Sequence, residues 1–197
     1  MSSIPYAVEP RPDTGVSNAT LGMWLFIASE VMLFGALFSA YVLLRTGAAS
    51  WPDQSATLNV PLASVNTFLL IVSSVLIARG AAAAGAGALA RSRTLIAGTV
   101  LLGLAFLMLK GLEYRGEFLA GLGPGSNNFL GLYFTMTGLH ALHVLGGVAV
   151  NAQLWMTGAG MGRAEPRRFA SRVRMAALYW NFIDIIWIAM FVVLYLL

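Results

Sequence analysis

The chain has 197 residues, 58% of them hydrophobic and only 10% charged, whereas a soluble domain carries roughly 25% charge. That balance identifies an integral membrane protein, and its long apolar runs make it helical, since a barrel would show short alternating strands. The formal charge of +4 comes almost wholly from Arg outside those runs, which reads as membrane topology and not as a nucleic-acid footprint; the lack of cysteine excludes disulfides, thiolate metal sites and a Cys nucleophile.

Residues 1–20 hold Pro5, Pro10, Pro12 and Gly15 among Glu9, Arg11 and Asp13, a polar, extended lead-in. They lack the apolar core and cleavage site of a signal peptide, so the first membrane helix is expected to stay uncleaved. Ser17, Asn18 and Thr20 offer N-caps for it. The remainder, 21–197, is predicted to be an all-α bundle of five transmembrane helices, at about 21–45, 61–79, 94–114, 129–155 and 175–197. The first is apolar throughout except for Glu30. About 20 apolar residues span a hydrocarbon core of roughly 30 Å, and a carboxylate inside it costs about 2.5–3.5 kcal/mol on insertion scales. Glu30 must therefore face protein, water or a bound headgroup.

Residues 46–59 read as a turn-rich loop with an interfacial Trp51. The second helix opens on Pro61, whose missing N–H has no helical partner anyway, and carries Asn66, Ser73 and Ser74. The stretch GAAAAGAGALA at 80–90 suits either a helical extension or a linker. The third helix ends in Lys110, Glu113 and Tyr114, followed by Arg115; this group is expected to be an interfacial anchor or a lipid headgroup contact, with Lys110 snorkelling outward. Trp24, Arg172, Arg174 and Trp180 are further candidates for lipid or interface contact. GLGPGSNN at 121–128 is a loop by composition. The fourth helix bears the chain's only histidines, His140 and His143. Residues 157–174 read as a basic loop, and the fifth helix contains Asn181 and Asp184. Gly35 with Ser39, and Gly98 with Gly103, predict close helix packing.

Arg11, Arg79, Arg91, Arg93, Arg163, Arg167, Arg168, Arg172 and Arg174 fall on one side of such a bundle and Arg45, Arg115 and Lys110 on the other. The positive-inside rule then makes the N-terminus cytoplasmic and the C-terminus external. Measured along the helices at about 1.5 Å per residue, Glu30, His143 and Asp184 lie within one or two turns of each other in depth, and His140 shares a face with His143. Three readings of this interior compete: a metal site of two histidines and a carboxylate, a polar network that satisfies itself and fixes packing, and a proton relay. A single His pair gives too few ligands for haem plus copper.

The same residues carry a family resemblance. WLFIASEVMLFGALFSAYVLLR at 24–45, LNVPLASVNTFLLIVSS at 58–74, LKGLEYRGEF at 109–118, TGLHALHVLGG at 137–147 and YWNFIDIIWIAMFVVLYL at 179–196 resemble, in order, the segments of subunit III of the haem–copper terminal oxidases in its shorter, five-helix form. Lys110 stands where many members have Gln, Leu139 for Phe, Ala141 for Gly, and Asn181 for the usual His.

The resemblance implies a non-catalytic subunit of a bacterial inner-membrane respiratory oxidase, which reduces oxygen to water while pumping protons. It implies no haem or copper in this chain, those centres being expected in partner subunits, and no other metal. It implies direct packing on subunit I, contact with subunit II and with other respiratory complex subunits, bound phospholipids, and support of proton uptake and of prolonged turnover. Glu30, His140, His143 and Asp184 would form the interior polar network; Asn181 cannot take a proton as imidazole does. The alternatives are the related accessory subunit of a nitric oxide reductase, and a small transporter, for which discontinuous helices or an inverted repeat are expected.

Overall fold

The computed structural model describes residues 15–197, so most of the polar segment predicted for 1–20, Arg11 included, lies outside the described residues. Among the described residues five helices are long and apolar enough to cross a membrane. They are α1 (Asn18–Gly47), α3 (Val60–Gly85), α4 (Leu89–Leu119), α5 (Asn128–Ala164) and α6 (Pro166–Phe191); a one-turn helix, α2 (Gln54–Thr57), lies between α1 and α3, and α6 continues into a π-helical turn, Val192–Leu196.

Side-chain caps fix three of the starts. Ser17 Oγ accepts from the Thr20 amide at 3.3 Å, Asn59 Oδ1 from Leu62 at 3.0 Å and Asn127 Oδ1 from Leu130 at 2.8 Å, each satisfying an amide with no partner inside its own helix. The Gly-rich stretch at 80–90 resolves as helix on both sides of a tight turn, with Gly87 at φ +75°, a conformation that glycine adopts without a Cβ clash.

The helices outrun their predicted ends. Most of the expected basic loop at 157–174 is helical: α5 runs on to Ala164 and α6 begins at Pro166. Glu165 alone breaks the run, at φ −138° and ψ 68°, because the following proline disfavours the α region for the residue before it. α5 has 37 residues, hence about 55 Å of length against roughly 30 Å of hydrocarbon. Its last turns, with Gly and Arg, lie past the apolar slab and so carry no hydropathy signal.

α3 packs on α4 and α6, and α5 packs on the same two helices, so α3 and α5 stand at opposite corners of a square. At its centre is Trp180, fully buried, whose Nε1 donates to Ser73 Oγ at 2.9 Å. Its indole lies against Gly103 and Gly147: a Cβ at either would come within 2.7 and 2.8 Å of the ring. Trp180 was expected at a lipid or subunit interface; it is instead the core of the square. Gly98 also packs closely, against Leu76. Gly35 does not: it has open space around it, and Ser39 only caps its carbonyl within α1.

α1 stands outside the square against α5 and α6. Its buried residues are Ile27, Phe34 and Tyr41, one seam at a seven-residue repeat, the period of a narrow helix–helix contact. Met32, Leu25 and Leu43 on its other faces are exposed, as lipid or a partner subunit would require.

Candidate functional site

The interior polar residues divide into three groups. The first joins α1 to α5. Glu30 Oε2 lies 2.9 Å from His143 Nε2, with both side chains mostly buried. His143 Nδ1 lies 2.8 Å from the carbonyl of Leu139. A carbonyl only accepts, so Nδ1 carries a proton, and the bond between Nε2 and Glu30 holds one more, which either partner can own. Phe34 packs edge-on against the imidazole at 5.4 Å, and the Tyr179 hydroxyl donates to the His143 carbonyl at 3.0 Å. Glu30 and His143, separated by 113 positions, are thus brought together as their depths suggested.

His140 and Asp184 do not join them. His140 is fully buried, stacked on Trp187 at 5.1 Å and edge-on to Phe106 at 5.7 Å, and among the described residues neither ring nitrogen has a hydrogen-bond partner. Three residues on a helix turn about 300°, so two side chains on one face still differ by some 60°, enough here to aim at different neighbours. Asp184 forms the second group: its Oδ2 accepts from Ser74 of α3, while Oδ1 has no hydrogen-bond partner among the described residues. The two-histidine, one-carboxylate cluster is therefore not assembled, and among the described residues no three His, Asp or Glu side chains gather as metal ligands would.

The third group corrects the interfacial reading of Lys110 and Glu113. Lys110 is 2% exposed and Glu113 5%. The Lys110 ammonium reaches Glu113 Oε2 at 3.0 Å, Tyr133 Oη at 2.9 Å and Tyr195 Oη at 2.7 Å. It also sits over the rings of Tyr133, Tyr114, Tyr195 and Trp187, at 4.6–5.5 Å from their centres, where the ring quadrupole attracts a cation. Tyr114 turns to Thr137, 2.6 Å away. Glu117, Tyr133 and Tyr195 belong to this group; the sequence reading placed Glu117 after the helix end and named neither tyrosine as a candidate, although Lys110, Glu113 and Glu117 recur at i, i+3 and i+7, the spacing of one helix face.

Of the remaining contact candidates, Trp24 is 55% exposed on α1, and Arg115 and Arg174 are exposed. Arg172 is half-buried and borders an apolar cleft of about 530 Å³ between α1, α5 and α6, lined also by Met23, Phe26, Val150, Leu154 and Tyr179. Arg93 donates from Nε to the Trp155 carbonyl at 3.2 Å, which puts the start of α4 beside the latter part of α5, at the end of the bundle where most of the arginines lie.

The sequence profile for cytochrome c oxidase subunit III matches residues 13–197. Among curated relatives, subunit 3 of the cytochrome bo(3) ubiquinol oxidase of Pseudomonas aeruginosa is 31% identical over 94% of this chain and 87% of its own length. Cytochrome c oxidase subunit 3 of Thermostichus vulcanus is 33% identical over 90% and 86%. A heme-copper oxidase subunit I+III of Aeropyrum pernix is 30% identical over 98% of this chain, which spans 24% of that longer protein.

Proposed function

The chain belongs to the cytochrome c oxidase subunit III family, and from that premise we propose that it packs directly on subunit I of a proton-pumping haem–copper oxidase, holds phospholipid beside it and sustains its turnover. It is the accessory subunit, a multi-pass protein of the plasma membrane. The observation that carries the partner assignment is the Aeropyrum pernix relative, named as subunits I and III in one chain; two domains on one chain are held close by their linkage. In this reading the haems and copper belong to the partner subunits.

The cleft bordered by Arg172 supports lipid binding: apolar walls suit acyl chains, and a guanidinium at the rim suits a phosphate. The arginines at the α3–α4 and α5–α6 end support a cytoplasmic N-terminus, and the burial of Lys110 removes one cation from the opposing count. The test of the class is a tagged chain pulled down in mild detergent. A copurifying haem protein with a reduced-minus-oxidised spectrum and oxygen-reductase activity is expected; a colourless single chain would overturn the assignment.

Glu30 and His143 carry the proton side of the proposal, since one proton lies between two groups that can each hold it. Glu30→Gln keeps the shape and one hydrogen bond, so the complex is expected to assemble with about 1 kcal/mol of stability lost. It should then lose activity sooner under prolonged turnover, or shift the pH profile of proton uptake. Turnover unchanged across pH and over time would reduce the pair to a packing contact.

A further inference from the structure

The hydrogen-bond pattern around Lys110 closes without an unpaired charge when Glu113 and Glu117 share one proton. The three ammonium protons of Lys110 are all used, by Glu113 Oε2, Tyr133 Oη and Tyr195 Oη. The Tyr195 hydroxyl gives its proton to Glu113 Oε1 at 2.8 Å. The Tyr133 hydroxyl has one proton and two carboxylate oxygens in reach, Glu113 Oε1 at 3.0 Å and Glu117 Oε1 at 2.8 Å. If it serves Glu117, that carboxylate is ionised in a buried site with Oε2 unpartnered, and the enclosed charge is one cation against two anions. If it serves Glu113, Glu117 carries a proton of its own and donates it to Tyr133 Oη. The phenol oxygen then accepts from both Lys110 and Glu117, as its two lone pairs allow. Lys110 and Glu113 cancel, and no buried charge is left unpaired.

We propose that Glu117 is a proton-binding site, a buried carboxylic acid that passes its proton through Tyr133 to Glu113. In that step the Glu117 O–H bond breaks as its proton moves to Tyr133 Oη, while the Tyr133 O–H bond breaks as its proton moves to Glu113 Oε1. One proton is transferred, Tyr133 ends as it began, and no electrons change hands. Glu117 lies two residues from the end of α4 at Leu119 and is 7% exposed, against 0% at Tyr133 and 5% at Glu113, so the proton arrives from the end of α4. The other titratable groups nearby are Tyr114 on α4, bonded to Thr137; His140 on α5, against Trp187; and Tyr195 on the π-helical turn. Arg115 is exposed.

Infrared difference spectra of the assembled complex in water and in heavy water test this. The wild type is expected to show the carbonyl stretch of a protonated acid, moved down in heavy water. That band should vanish in Glu117→Gln and move up in Tyr133→Phe, where the acid loses its acceptor. If Glu117→Gln does not assemble, Glu117→Asp should displace the band. A wild-type band left unmoved by the Glu117 variant that assembles would overturn the proposal, and so would one unmoved by Tyr133→Phe. Neither result bears on whether the chain copurifies with haem, so the family-based reading stands or falls separately.

Discussion

Lys110→Met is expected to destabilise the folded subunit by about 3–5 kcal/mol, the range for removing one partner of a buried ion pair. The side chain is almost wholly enclosed, and its ammonium is the common donor to Glu113, Tyr133 and Tyr195. Methionine restores the volume but leaves Glu113 as an anion with no cation, and leaves two phenol oxygens each short of a donor. The loss should be mostly of that kind and not of packing. The double variant Lys110→Met with Glu113→Gln should therefore recover much of it, because no charge is then stranded. The measurement is the thermal midpoint and haem-normalised yield of the complex for both singles and the double. Additive effects would mean that the two residues do not act as a pair, and a single variant as stable as wild type would mean that water reaches Glu113.

The number and order of the spanning helices were legible because each is marked by an apolar run of bilayer length. Their ends were not, and the misplacing of Lys110, with Glu113 beside it, and of Trp180 shares that cause. Lys110 was read as lying near the end of a helix finishing at 114; α4 in fact runs to Leu119, placing Lys110 more than two turns inside. Trp180 was read against a helix starting at 175, whereas α6 starts at Pro166, about two and a half turns earlier. A helix that runs on past the hydrocarbon brings further neighbours that can enclose a long amphipathic side chain instead of letting it snorkel, and hydropathy locates the edge of the hydrocarbon, which is not the edge of the helix. The Glu30–His143 pair could be anticipated because depth along two helices was enough to match them. Tyr133 and Tyr195 could not: they reach Lys110 from α5 and from the π-helical turn after α6, and only the packing of the square brings those segments round α4. His140 shows the converse. Its spacing from His143 was right, yet Trp187 and Phe106 hold its ring away from the carboxylate that His143 meets.

Trp180→Ala is expected to destabilise by about 3–5 kcal/mol, the range for emptying a large buried aromatic site. The indole fills the middle of the square, between the glycines of α4 and α5, and ties α6 to α3 through Ser73. Gly103 and Gly147 on either side have no side chain to move into the space, so much of the cavity should persist. Trp180→Phe should lose less, about 1–3 kcal/mol, because part of the ring contact remains while the bond to Ser73 is lost. The comparison separates packing from hydrogen bonding: equal losses in the two variants would assign the stability to the Ser73 bond alone. α1 meets the square along its own seam of Ile27, Phe34 and Tyr41, none of which touches this layer through a hydrogen bond to Trp180 or Ser73. The alanine variant should therefore lower the yield and melting point of the complex while the molecules that do assemble keep the turnover lifetime and pH profile assigned to Glu30 and His143. A shortened lifetime in the surviving complex would instead mean that the square and the α1 seam form one cooperative unit.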